Sequence, residues 1–96
     1  MKIIVADSFS QRLFGLMFKK NITYGLLFKR CKSIHTFFMK SNIDILVLNK
    51  NKEIIAIRPN IAKNKIVIIH EKDAYSILEL PPLQTHKYHL KDIIDI

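Results

Sequence analysis

Apolar residues along this chain come in short runs broken by polar or glycine- and proline-bearing punctuation. Residues 2–6 are rich in β-branched side chains and predict a first strand. A helix signal follows. Ser8 with Gln11 three residues on fits a capping box, and Asp7 stands beside it. Phe9, Leu13, Leu16 and Met17 then recur at helical spacing, so one face packs inward, and Gly15 ends or weakens the helix. Residues 21–23 read as a loop.

The remainder reads as strands. Residues 25–29 predict a short one and 34–39 another. Residues 43–48 are nearly all apolar, which predicts a central strand covered on both faces. Asn49-Lys50-Asn51-Lys52 predicts a hairpin turn, with Asn49 and Asn51 as the left-handed formers. Residues 53–58 form the returning strand, which Pro59 is expected to stop. Residues 65–70, 75–80 and 93–96 predict further strands. Pro81-Pro82 forces an extended turn, after which 83–89 predict a short helix. Seven or eight short strands at hairpin spacing predict a mainly β fold, a compact β-sandwich or partly open barrel. One short N-terminal helix and a helical turn near the C-terminus would cover its ends.

At 96 residues the chain predicts a single domain, 1–96. It should bury roughly 60–65% of its unfolded surface. An apolar content of 49% with 25% charged residues is ordinary for a globular protein. The net charge of +8 raises nucleic acid or an anionic membrane as partners. Several features weigh against a nucleic-acid binder. Lysine far outnumbers arginine, the lysines are scattered, and the one cluster is Lys29, Arg30 and Lys32, with Lys40 further on. There is no Trp for base stacking. No apolar segment approaches the ~18 residues of a membrane span. Cys31 is the only cysteine, so no internal disulfide and no cysteine-based zinc cage can form. A cytoplasmic protein without a cofactor is expected, its oligomeric state left open.

The chemistry concentrates in Cys31-Lys32-Ser33-Ile34-His35-Thr36 and in Asp44. These polar groups sit among residues that read as buried strand, where an unpaired polar group costs about 1–3 kcal/mol. On one continuous strand, Cys31 and His35 would lie about 13 Å apart on the same face, too far for a nucleophile–base pair; a turn at Lys32-Ser33 would be needed to bring them together. His35 either bonds the backbone and locks a loop, or lines a pocket mouth and meets a polar ligand. Thr36 is a second polar anchor. Asp44 opens an apolar strand, and Arg12 is the basic residue of the first helix. An Arg12–Asp44 pair would fix helix to sheet, or would position an anionic ligand. Cys31, His35 and Asp44 have the right donor types for a metal, and His86 and His89 form an i, i+3 pair, but neither set has tight ligand spacing, so no metal site is assigned. Glu79, between Leu78 and Leu80, is expected to point outward or meet a lysine.

Four elements carry a family likeness. Arg12-Leu13-Phe14-Gly15-Leu16-Met17 resembles an R-x-x-G-L-M signature, and Gly25-Leu26-Leu27-Phe28 the G-[ML]-L-F strand that follows it. Cys31 to Met39 with Ile43-Asp44 resembles a C-x-S-[IV]-H-T-x-x-M…[IP]-[IL]-D pattern, and Leu78-Glu79-Leu80-Pro81 an L-E-L-P element. Together they resemble the bacterial and archaeal domain-of-unknown-function 192 family over nearly the full length. The resemblance implies a compact jelly-roll-like β-sandwich or barrel and no defined activity. The chain departs from many relatives in having Phe38 where they carry Trp and Lys91-Asp92 where they carry Gly-Asp; unlike many of them it is expected to carry no export signal, because residues 3–6 are too short an apolar run for one.

The function expected from these residues is a small binding or accessory module, more a binder than an enzyme, taking a small polar or anionic ligand. The candidate ligand-binding residues are Arg12, His35, Thr36 and Asp44. Two alternatives stand beside it. One is a small hydrolase or transferase with a Cys31–His35 nucleophile pair. The other is a weak nucleic-acid binder using the Lys/Arg surface.

Overall fold

The computed structural model describes residues 1–96, with the side chains of Phe9 and Leu13 excepted. Seven strands form two sheets that do not close into a barrel. Strand β1 (Lys2–Val5) pairs in parallel with β2 (Tyr24–Lys29). The helix between them, α1 (Phe9–Phe14), makes that crossover. The capping box is present. Ser8 Oγ accepts from the Gln11 amide, the Gln11 side chain accepts from the Ser8 amide, and Gly15 closes the helix at φ 51°.

The larger sheet has the order β1-β2-β7-β4-β5, with β4 (Ile43–Leu48), β5 (Ile54–Ile61) and β7 (Ser76–Leu80) antiparallel. The smaller sheet pairs β3 (Ser33–His35) with β6 (Ile66–Ile68). Every residue of β4 and β7 is buried. Alternation splits the large sheet between two cores. Ile43, Ile45, Val47, Leu26, Phe28 and Ile77 pack on one face with Leu16, Ile34 and Met39. Leu46, Leu48, Leu27, Leu78 and Leu80 pack on the other with Ile54 and Ile94.

The structure corrects several expected boundaries. The strand expected over 34–39 ends at His35, and Phe37 and Phe38 lie in a turn with Phe38 at φ 62°. Strand β5 runs through Pro59 to Ile61 instead of stopping. β5 is an edge strand, and its register with β4 shifts between Ile45↔Arg58 and Ile43↔Ile61. Pro59 sits in that irregularity, where its missing N–H breaks no ladder bond. In the β4–β5 turn the left-handed residue is Lys52, at φ 65°, not an asparagine. Asn49 instead uses its side chain, whose Oδ1 accepts from the amides of Asn51 and Glu53. The helix expected over 83–89 shrinks to the 3-10 turn Thr85–Lys87. The last strand shrinks to one bridge, Glu53↔Ile93. No helix among the described residues is long and apolar enough to cross a membrane.

Candidate functional site

Glu79 lies in β7, paired between Leu26 of β2 and Ile45 of β4. Its neighbours Leu78 and Leu80 face one core, so Glu79 faces the other, with Ile77. That face is covered too, and Glu79 is only 2% exposed. The outward position expected from its flanking leucines is therefore wrong. Alternation means polar-out only on a sheet with one solvated face. The readable signal was β4: an all-apolar strand implies coverage on both sides, and its neighbour shares that coverage.

Burial pushes the Glu79 carboxyl up to about 8, so the protonated form predominates at pH 7. Its Oε1 has no hydrogen-bond partner within the protein. Glu79 lines a cavity of about 230 Å³ together with Arg12, Gly15, Phe28, Cys31, His35 and Met39. Gly15 lies close beside the carboxyl. A Cβ there would stand 3.3 Å from Phe28 Cζ and 3.7 Å from Glu79 Oε1, and its φ of 51° already disfavours a side chain.

The structure thus brings Arg12, Cys31 and His35 to one cavity and leaves Thr36 and Asp44 out of it. Arg12 is exposed at the rim and makes no pair with Asp44. Asp44 is 1% exposed on the opposite face of the sheet, where three backbone amides satisfy it. Oδ1 accepts from Asn60 N at 2.9 Å, and Oδ2 accepts from Gln84 N at 2.7 Å and Thr85 N at 2.9 Å. Thr36, also 1% exposed, is a structural staple. Its Oγ1 donates to Ala62 O at 2.7 Å and accepts from Lys65 N at 2.8 Å. Both residues spend their polar atoms inside the fold and have none left for a ligand.

His35 is half-buried, and its Nδ1 accepts from Phe37 N at 3.2 Å. That bond assigns the ring proton of the neutral form to Nε2. The ring also stacks on Phe37 at 5.5 Å. Cys31 Sγ donates to Ser33 O at 3.0 Å. The thiol proton is thus given to a backbone carbonyl and His35 Nδ1 is occupied, so neither atom is set up as half of a nucleophile–base pair. Among the described residues no group of three metal-ligating side chains gathers. His86 is exposed and His89 lies 3.7 Å from Asp92.

The segments that wall the cavity also carry exposed aromatics. Phe18 and Phe38 stack at 5.5 Å, and Phe18 N donates to Phe38 O at 2.9 Å. Both stand at left-handed φ, 63° and 62°, which aromatic residues seldom adopt.

A UPF0127 protein of Thermococcus kodakarensis is 34% identical over 86 residues, covering 83% of this chain and 54% of that protein. A UPF0127 protein of Pyrococcus furiosus is 38% identical over 61 residues, covering 57% of this chain and 52% of that protein. The chain spans about half the length of the curated relatives it matches. The crystal structure of a protein of unknown function from Novosphingobium aromaticivorans shares the fold, with a TM-score of 0.83 over 98% of this chain and 74% of that one at 14% identity. The profile of DUF192, described as "Uncharacterized ACR", matches residues 1–92, and the chain belongs to that family.

Proposed function

We propose that this chain is a one-domain binding module for a compact polar or anionic small molecule, seated in the Glu79 cavity. One observation carries the proposal: a buried carboxyl, largely protonated at pH 7, lines that cavity, and one of its oxygens has no partner within the protein. Such a group weakens the fold, and it persists where it has work outside the fold. As a neutral acid it both donates and accepts, so it suits a polar ligand group without demanding a counter-charge. Arg12 at the rim offers a fixed positive charge and a planar fork of donors for a carboxylate. Phe28 and Met39 provide apolar wall between the two. A cavity of about 230 Å³ admits only a compact ligand. The free thiol of Cys31 suits a reducing compartment, and the module is assigned to the cytoplasm on that basis.

The test is amide chemical-shift mapping with a panel of monocarboxylic acids from acetate to hexanoate, benzoate included. Saturable shifts at Gly15, Cys31, His35 and Glu79 are expected for at least one acid. They should be lost in Arg12→Gln and altered in Glu79→Gln. If no acid moves those amides, or if the shifts fall elsewhere, the assignment of this cavity fails.

A further inference from the structure

A second concave surface lies at one end of the sandwich, and it shares no lining residue with the Glu79 cavity. Three loops build it: the β2–β3 connection at Arg30 and Lys32, the β4–β5 hairpin at Asn49, Lys50 and Asn51, and the β6–β7 connection from Lys72 to Tyr75. Backbone bonds hold the loops together. Cys31 N donates to Tyr75 O at 3.1 Å, Tyr75 N to Leu48 O at 2.8 Å, and Ile69 N to Lys32 O at 2.7 Å. The result is an open cleft of about 840 Å³.

Its charge is one-sided. Arg30, Lys32, Lys50 and Lys72 line it against a single carboxylate, Asp73. Among the described residues the ion pairs are Arg58–Glu71 and His89–Asp92, so none of the four cations has a carboxylate within 4 Å. Folding has brought together like charges that repel, and an anion between them would relieve that repulsion. Arg30 is partly set in place: its Nε donates to Tyr75 Oη at 3.2 Å, which leaves both terminal NH₂ groups for an incoming oxyanion. That bond also draws the Tyr75 phenol below its ordinary value. Lys50 Nζ stands 5.9 Å from the Tyr75 ring centre.

We propose that this cleft binds a compact polyphosphate group through Arg30, Lys32, Lys50 and Lys72. The shape of the charge selects this ligand over a nucleic-acid strand. A strand needs a track of cations along its length and aromatic faces for its bases. Here the cations ring one concavity, and the ring of its single aromatic residue, Tyr75, is already approached by Lys50.

Calorimetric titration of the full chain with inorganic tripolyphosphate at low salt tests this. One-to-one binding is expected, falling steeply as salt is raised. The double variant Lys50→Gln/Lys72→Gln should weaken it by about tenfold or more, since two charge-assisted contacts are lost. Lys19→Gln/Lys20→Gln removes the same charge outside the cleft and should change affinity by less than about threefold, the residue of screened long-range attraction. Absence of binding overturns the proposal. So does equal weakening by both double variants, which would mean attraction to net charge alone. Tighter binding of an oligothymidylate than of tripolyphosphate, weakened equally by both pairs, would replace the cleft with a diffuse nucleic-acid surface. All four substituted lysines are exposed, so the variants should fold.

Discussion

The amide of Gln84 donates to Asp44 Oδ2 at 2.7 Å, and the same carboxylate holds the amides of Thr85 and Asn60. One buried side chain of β4 thereby fixes both the edge-strand irregularity at Pro59-Asn60 and the C-terminal 3-10 turn. Asp44→Ala would leave three backbone N–H groups without their acceptor and should cost about 3–5 kcal/mol in urea unfolding. Asp44→Asn keeps one acceptor oxygen and should cost about 1–3 kcal/mol. Ligand binding in the Glu79 cavity should survive in Asp44→Asn, because Asp44 lies on the other face of the sheet. Loss of binding in a folded Asp44→Asn protein would contradict that separation.

Thr36 plays the matching part on the near face. Its hydroxyl both donates to Ala62 O and accepts from Lys65 N, clamping the turn after β3 to the loop between β5 and β6. Thr36→Val fills the same volume without the hydroxyl. It should lose about 1–3 kcal/mol, and Thr36→Ser should recover most of that. Hydrogen exchange gives the local readout. The Lys65 amide should lose protection in Thr36→Val and keep it in Thr36→Ser. Unchanged protection in both variants would mean that the hydroxyl does not clamp the loop.

Cys31 separates a binding module from a thiol enzyme. Its Sγ donates to Ser33 O, and His35 spends Nδ1 on the Phe37 amide. Alkylation of Cys31 by iodoacetamide at pH 7 should run no faster than that of an unstructured cysteine peptide. Cys31→Ser should fold and keep the cavity's ligand response. An alkylation rate well above the peptide's, suppressed in His35→Ala, would restore the nucleophile pair.

The strands were legible in the sequence because their apolar runs are dense and their turns carry strong local chemistry. The Ser8–Gln11 capping box and the all-apolar β4 are the plainest cases. The misplaced boundaries have a common cause, which is that tertiary contacts overrode local preference. Pro59 reads as a strand stop, yet an edge position and the Asp44 carboxylate accommodate it. Phe37 and Phe38 read as strand, yet Thr36 bonds across to residues 62 and 65 and turns the chain there. The candidate site was legible in part. Arg12, Cys31 and His35 converge as cavity lining, whereas Thr36 and Asp44 proved to be internal anchors. Glu79 was missed because its local pattern carries no information about what covers the sheet's second face.

That face makes Glu79 a proton-linked element of stability. Its carboxyl titrates near 8 in the folded protein against an ordinary value of 4.5. Between those values the folded state keeps a proton that the unfolded state releases, so stability falls as pH rises. The contribution is fully present below about pH 4.5, declines by about tenfold in the folding constant per pH unit, and levels off above pH 8. Other titrating groups add their own slopes, so the informative quantity is the difference from Glu79→Gln. The amide is neutral at every pH and has a similar shape. Glu79→Gln should therefore match the parent near pH 4.5 and gain on it steadily to pH 8, in urea unfolding followed by circular dichroism. A variant that is more stable at pH 7 yet binds the cavity's ligand less well would show that the carboxyl is kept for binding and not for the fold. Parallel stability curves for the two proteins from pH 5 to 8 would instead mean that Glu79 ionises normally, and that water or local opening satisfies it.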